Sequence, residues 1–244
     1  MPVKFVRCGI VGAGLAAAMM SAPSFAAEVV VDATADIFLA SQPDGASVSG
    51  YFGNDTAPAN SPVVVAVTAG STLTFAATGL TSVDGSCFDG PDGGACYTDE
   101  SGFSPPPANG AYIGPANALI GVFLDDSVTD VSSSVAALDF TDSANRNLVS
   151  NTPGLGQIFF IGDGVTDSAE IQQFLAPAGA TRLFLASADS IGSSTGNSGS
   201  LTVDITGAVE AVPEPASWAM MIAGLGIVGA GLRRRRIATT VRFA

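Results

Sequence analysis

The sequence predicts an all-β protein, an antiparallel β-sandwich, on two observations. From Glu28 onward, short runs of Val, Ile, Leu, Phe and Thr alternate with period two and are separated by clusters of Gly, Asn, Asp, Ser and Pro. The one stretch that fits a helical period, Ser168 to Leu175, spans two turns at most and runs directly into Pro177 and Gly179, so it is expected as a strand leading into a turn.

Taken in order, the chain starts with a segment that is not part of that domain. Met1 to Ala26 has Lys4 and Arg7 in front, an apolar run from Cys8 to Met20, and small residues Ser24 and Ala26 where a signal peptidase reads. A signal peptide over residues 1–26, cleaved after Ala26, is expected. Cys8 precedes the apolar run instead of closing it, so it is not a lipidation site and leaves with the signal peptide.

The domain of residues 27–206 follows. Val63 to Thr68 and Thr72 to Thr78 are expected as neighbouring strands joined at Ala69-Gly70-Ser71, with Leu73, Phe75 and Ala77 on one face. Ala118 to Leu124, Gln157 to Ile161, Arg182 to Ser187 and Leu201 to Thr206 read the same way. In the last, Leu201, Val203 and Ile205 face the core and Thr202, Asp204 and Thr206 the solvent. Asp84 to Pro115 is a Gly/Pro/Asp-rich section too long for a hairpin. Its acidic residues, Asp84, Asp89, Asp92, Asp99 and Glu100, read as a solvated loop, because Asp-Gly pairs form turns and no EF-hand order is present. Asp125-Asp126 and Asp163-Gly164 read as strand-end and turn residues.

Charge separates the ends from the middle. Between Ala27 and Glu214 stand Arg146 and Arg182 against all twenty-two acidic residues, a net charge of −20. Such a field repels nucleic acid and anionic headgroups, so no nucleic-acid partner is expected. Cys87 and Cys96 bracket a turn-rich loop, and in an oxidising compartment they are expected to pair as a disulfide. The chain has no His, which excludes a Ser-His-Asp triad, a Cys-His pair and His-ligated metals. Paired carboxylates for glycoside hydrolysis stay open, but the one Trp lies outside the domain and only Tyr51, Tyr97 and Tyr112 could stack on a sugar. The expectation is a non-enzyme.

The C-terminus has a fixed order. Residues 207–217 form a linker holding Pro213-Glu214-Pro215, where two prolines keep the chain extended. Trp218 to Leu232 is an uncharged run of roughly 22 Å as a helix, short of the ~30 Å hydrocarbon core, and is expected as a transmembrane segment. Arg233, Arg234, Arg235 and Arg236 open a basic cytoplasmic tail, residues 233–244, and Trp218 occupies a membrane-interface position. This order resembles the PEP-CTERM sorting signal of Gram-negative bacteria. The resemblance implies recognition by an exosortase, a membrane-embedded cysteine protease-transpeptidase. The precursor would be anchored in the inner membrane, then delivered to the cell surface, outer envelope or extracellular matrix with exopolysaccharide.

Arg182 to Thr206 carries the sharpest internal pattern. Asp189 ends a strand, a Gly/Ser turn follows, and Asn197 stands just before Ser198-Gly199-Ser200 and the last strand. A carboxylate, an amide oxygen and turn carbonyls brought to one point are what Ca²⁺ needs. The spacing resembles the bacterial calcium-dependent galactophilic lectins, as do Ala76 to Val83 and Asn117 to Gly121. That likeness implies a jelly-roll, galactose-binding-like sandwich. It also implies a Ca²⁺ held by Asp189, Asn197 and carbonyls near Ser193 and Val83. The departure is Gly196, where the family has a second ligand Asn. An Asx-turn without metal explains the same residues. Three functions therefore compete: a structural or binding module of surface or biofilm matrix, an active Ca²⁺-dependent galactose-type lectin, and a hydrolase.

Overall fold

The structure, a computed structural model, describes residues 25–50, 53–96, 112–126 and 135–207. The signal peptide up to Ser24, the linker beyond Gly207, the transmembrane segment, Arg233 to Arg236, Tyr51, Tyr97, Asp99 and Glu100 lie outside the described residues. Expected cleavage after Ala26 falls inside the first strand, which is paired from Phe25 onward.

The regular secondary structure of the described chain is almost entirely β. In order come β1 (Phe25–Asp32), β2 (Ser47–Ser49), β3 (Asn54–Thr56), β4 (Val63–Ala66), β5 (Thr72–Ser82), β6 (Tyr112–Ile113) and β7 (Leu119–Leu124). Then follow β8 (Leu138–Asp139), β9 (Ser150–Asn151), β10 (Ile158–Phe160), β11 (Gln173–Leu175), β12 (Arg182–Ser187) and β13 (Ser198–Gly207). The one α-helical turn, α1 (Ser143–Arg146), is capped by the Asp142 side chain. Among the described residues no helix is long and apolar enough to cross a membrane.

Two larger sheets share one core. One has the order β1-β13-β5-β11-β9, the other β10-β7-β12-β4. Their apolar residues form one cluster, including Leu73, Phe75, Leu201, Val203 and Ile205 from the first sheet and Val122, Phe123, Leu183 and Leu185 from the second. Strand β13 alternates as expected, its Leu201, Val203 and Ile205 fully buried. Strand β7, by contrast, is buried at every position, which explains its uninterrupted apolar run. Phe123 stacks on Phe159 at 5.1 Å, Phe159 meets Phe174 at 5.6 Å, and Phe174 meets Phe75 edge-on at 5.1 Å, so an aromatic chain joins the sheets.

Three sequence expectations change. Strands β4 and β5 are not partners: β4 pairs with β12 and β5 with β13 and β11, in different sheets. The turn at Ala69-Gly70-Ser71 therefore crosses between sheets, and it is tied down by Gly70 N–H to Ala176 O and Ala176 N–H to Ser71 O. An apolar face cannot report which sheet receives it. The Ser168–Leu175 stretch yields a strand only at Gln173–Leu175, since Thr166 to Ala169 close a turn with Ala169 at φ 61°. Finally, β9 pairs with β11 and β6 with β8 in parallel, so the pairing is not wholly antiparallel.

The register sets one end of the molecule apart. Leu119 opposes Ser187 and Ile120 opposes Phe160, so the start of β7 and the ends of β12 and β10 lie together. In the other sheet Ser82 opposes Ser198 and Asp32 opposes Ser200. Asn117 N–H bonds the Ala188 carbonyl and Ala33 N–H the Gly199 carbonyl. The connections after β1, β5, β10 and β12 all emerge at this end.

Candidate functional site

The connection 189–197 is built against two acids from the front of the chain. Asp36, the residue before a 3-10 turn over Ile37–Leu39, is 2% exposed and accepts Phe38 N–H at 2.7 Å and Gly192 N–H at 2.9 Å. Asp55, on the β2–β3 hairpin, is fully buried and accepts Ser194 N–H at 2.7 Å, Thr195 N–H at 2.9 Å and the Thr195 hydroxyl. The two carboxyl groups thus bind consecutive turns of the loop. Gly192 allows this: its φ is 66°, and a Cβ there would stand 2.4 Å from Gly50 N.

Asp189 completes the group. Its Oδ1 accepts Ser190 N–H at 2.6 Å, and its carboxyl faces the Asn197 side chain. Burial pushes the Asp189 pKa up to about 6, against the opposing hydrogen bonds from Ser190 and Asn197, and the neighbouring Asp55 adds to the rise. Asp36 is pushed up to about 7, again first by burial, which outweighs the bonds from Gly192 and Phe38, with Asp55 contributing from beside it. Asn197, 7% exposed, donates Nδ2 to the Ala33 carbonyl at 3.1 Å, while its Oδ1 has no hydrogen-bond partner among the described residues. Arg182 is at the opposite end of its strand, 3.7 Å from Asp126.

The residues expected to hold a cation are therefore close in the fold, though in different states. Asp189 and Asn197 lie near enough for the amide to favour the ionised carboxyl. Val83 follows Ser82, the partner of Ser198, which places it beside Asn197 in the register. Ser193 opens the 3-10 turn Ser194–Gly196, and its hydroxyl turns back to the Ile191 carbonyl. Among the described residues no group of three His, Cys, Asp or Glu side chains is placed to hold a metal ion. A cation here would draw on amide and carbonyl oxygens as well as Asp189.

Asp36 and Asp55 escaped the sequence reading. Asp55 stands in Asn54-Asp55-Thr56, which looks like a turn and is a short strand. Asp36 did leave a signal, a lone carboxylate inside the apolar run Ala35 to Ala40.

The disulfide between Cys87 and Cys96 is present. The acidic loop around it is not uniformly solvated. Asp89 is 3% exposed and accepts Cys96 N–H at 3.0 Å and Asn117 Nδ2 at 2.9 Å, so it ties the bridged loop to the strand end, whereas Asp84 and Asp92 are exposed. Tyr112 is buried, its hydroxyl on the Pro115 carbonyl at 3.2 Å, and is not available to stack on a sugar.

Comparison with known proteins adds one finding at the other end of the chain. Residues 211–236 match the PEP-CTERM protein-sorting motif, which contains Pro213, Glu214, Pro215, Trp218 and Arg233 to Arg236. The match identifies the chain as an exported precursor, membrane-anchored and processed by exosortase for the cell surface. No curated protein matches the chain.

Proposed function

We propose that the domain of residues 27–206 is a non-enzymatic structural and binding module of the cell surface or extracellular matrix. In this reading it is a jelly-roll β-sandwich, exported after signal-peptidase cleavage and associated with exopolysaccharide. The observation that carries the reading is the sorting motif at residues 211–236 on a domain of net charge −18 that lacks His. Proteins sorted this way leave the inner membrane, and a strongly acidic domain stays soluble among hydrated polymers. With Pro213, Glu214 and Pro215 all changed to Ala, the chain is expected to remain in the inner-membrane fraction, while the parent fractionates with surface and matrix. Equal matrix recovery of both, measured by immunoblot, would overturn the reading.

A second reading, a Ca²⁺-dependent galactose-type lectin, is favoured by the buried Asn197, whose Oδ1 has no partner among the described residues and whose side chain lies near the Asp189 carboxyl. A buried amide oxygen without a donor costs about 1–3 kcal/mol, and a cation would relieve that cost. If Asp189, Asn197 and carbonyls near Ser193 and Val83 bind Ca²⁺, a hundredfold excess over Kd stabilises the fold by ~2.7 kcal/mol. Asp189→Asn should abolish the rise in Tm, and magnesium in high monovalent salt should not reproduce it. A calcium shift that survives Asp189→Asn rejects the site. A glycan array with and without chelator then separates a lectin from a scaffold stabilised by calcium.

A further inference from the structure

A second polar concavity lies away from the 189–197 loop. A cavity of ≈ 410 Å³ opens where α1, the turn 163–167 and the Asp92-Gly93-Gly94 turn meet, with Phe160 and Pro115 in its wall. That volume falls within the range of small-molecule pockets, about 300–1,000 Å³.

Its acids are held in place, each by one oxygen. Asp92 Oδ1 accepts Asp163 N–H at 3.0 Å, and Asp163 Oδ1 accepts Val165 N–H at 2.9 Å. Asp167 Oδ2 accepts Asn147 Nδ2 at 2.9 Å, and Asn147 Oδ1 in turn receives Asp167 N–H at 2.7 Å. The second oxygen of each carboxyl takes no hydrogen bond among the described residues. These oxygens belong to side chains that line the cavity, and among the described residues no three acids are placed to hold one metal ion. The arrangement suits a ligand that offers several separate donors.

Arg146, also in the wall, donates to the Phe140 and Thr141 carbonyls. Three carboxyl groups against one guanidinium leave the cavity acidic, which disfavours uronates, sulfates and phosphates. Hydroxyl and ammonium donors are favoured, while Phe160 and Pro115, both buried, close the apolar back of the cavity. We propose that this cavity binds a neutral or amino-sugar unit of a polysaccharide, with Asp92, Asp163 and Asp167 as acceptors. The inference rests on the matrix reading above and names the ligand class.

The test is calorimetric binding by the full-length chain in detergent. The probes are neutral galacto- and gluco-oligosaccharides, chitosan oligomers, oligouronates and the producer's own exopolysaccharide. A neutral or amino oligosaccharide should bind and the oligouronates should not. Asp92→Asn and Asp167→Asn should each weaken binding at least tenfold. Ser143→Trp, a bulky change at an exposed rim position, should abolish binding without touching the acids. Asp204→Asn, an exposed acid on β13 outside the cavity lining, should bind as the parent does. If the parent binds the producer's polysaccharide and all three cavity variants match it, the cavity assignment fails while the matrix reading stands. A parent that binds no polysaccharide overturns both. Oligouronate binding equal to neutral binding, or loss of binding only with chelator and Asp189→Asn, also overturns the assignment.

Discussion

Acidification from about pH 8 to about pH 5 is expected to raise the melting temperature of the domain, with Asp36 as the main source. Its folded pKa, about 7, lies above the ordinary 3.8, so the folded chain holds this proton more tightly than the unfolded chain. As pH rises above 3.8 the unfolded state gains by ionising and the folded state does not, until pH passes about 7. The stabilisation is therefore complete below the unfolded pKa and lost on the way up to the folded one. Asp189, with a folded pKa of about 6, acts in the same direction over a narrower window. At ~1.36 kcal/mol per pKa unit, the roughly two units between pH 5 and the folded pKa of Asp36 correspond to about 3 kcal/mol. For a domain of this size that is roughly 6–12 °C in Tm. Asp36→Asn mimics the protonated acid and should flatten most of the profile. The comparison belongs in high monovalent salt, which screens the general repulsion of a −18 domain. An unchanged slope in Asp36→Asn would falsify the assignment.

Asp55→Ala should cost about 3 kcal/mol, or roughly 6–12 °C in Tm, with the loss focused on the 189–197 connection. The substitution leaves the buried Ser194 N–H, and the N–H and hydroxyl of the more exposed Thr195, without their common acceptor. Relief of the Asp36 and Asp189 carboxyl groups offsets part of the cost, because both are raised by Asp55. Hydrogen exchange should then show Gly192 to Asn197 losing protection while the β7–β12 ladder keeps its own. A uniform loss across both sheets, or a change below 1 kcal/mol by denaturant titration, would show that Asp55 is not the clamp.

The sorting signal was legible at once, since its order of prolines, apolar run and arginines is local and needs no tertiary partner. The strands were legible wherever one face is buried: Leu73, Phe75 and Ala77, or Leu201, Val203 and Ile205, announce themselves by alternation. Asp189 and Asn197 could be paired from spacing because a single loop returns the chain to the same place. Short strands such as Asn54–Thr56 could not, because three polar residues carry no period.

By itself, then, the sequence determined what is local: an all-β chain, a disulfide loop, an acidic exported domain without His, and the motif that sorts it. Only the tertiary structure decided the partners. It put β4 and β5 in different sheets. It buried Asp36 and Asp55 under a loop more than a hundred residues away, and it gathered Asp92, Asp163 and Asp167 around one cavity. The physical reason is that alternation records whether a side chain is buried, whereas a carboxylate's role depends on which donors reach it, and those donors are set by the register of distant strands.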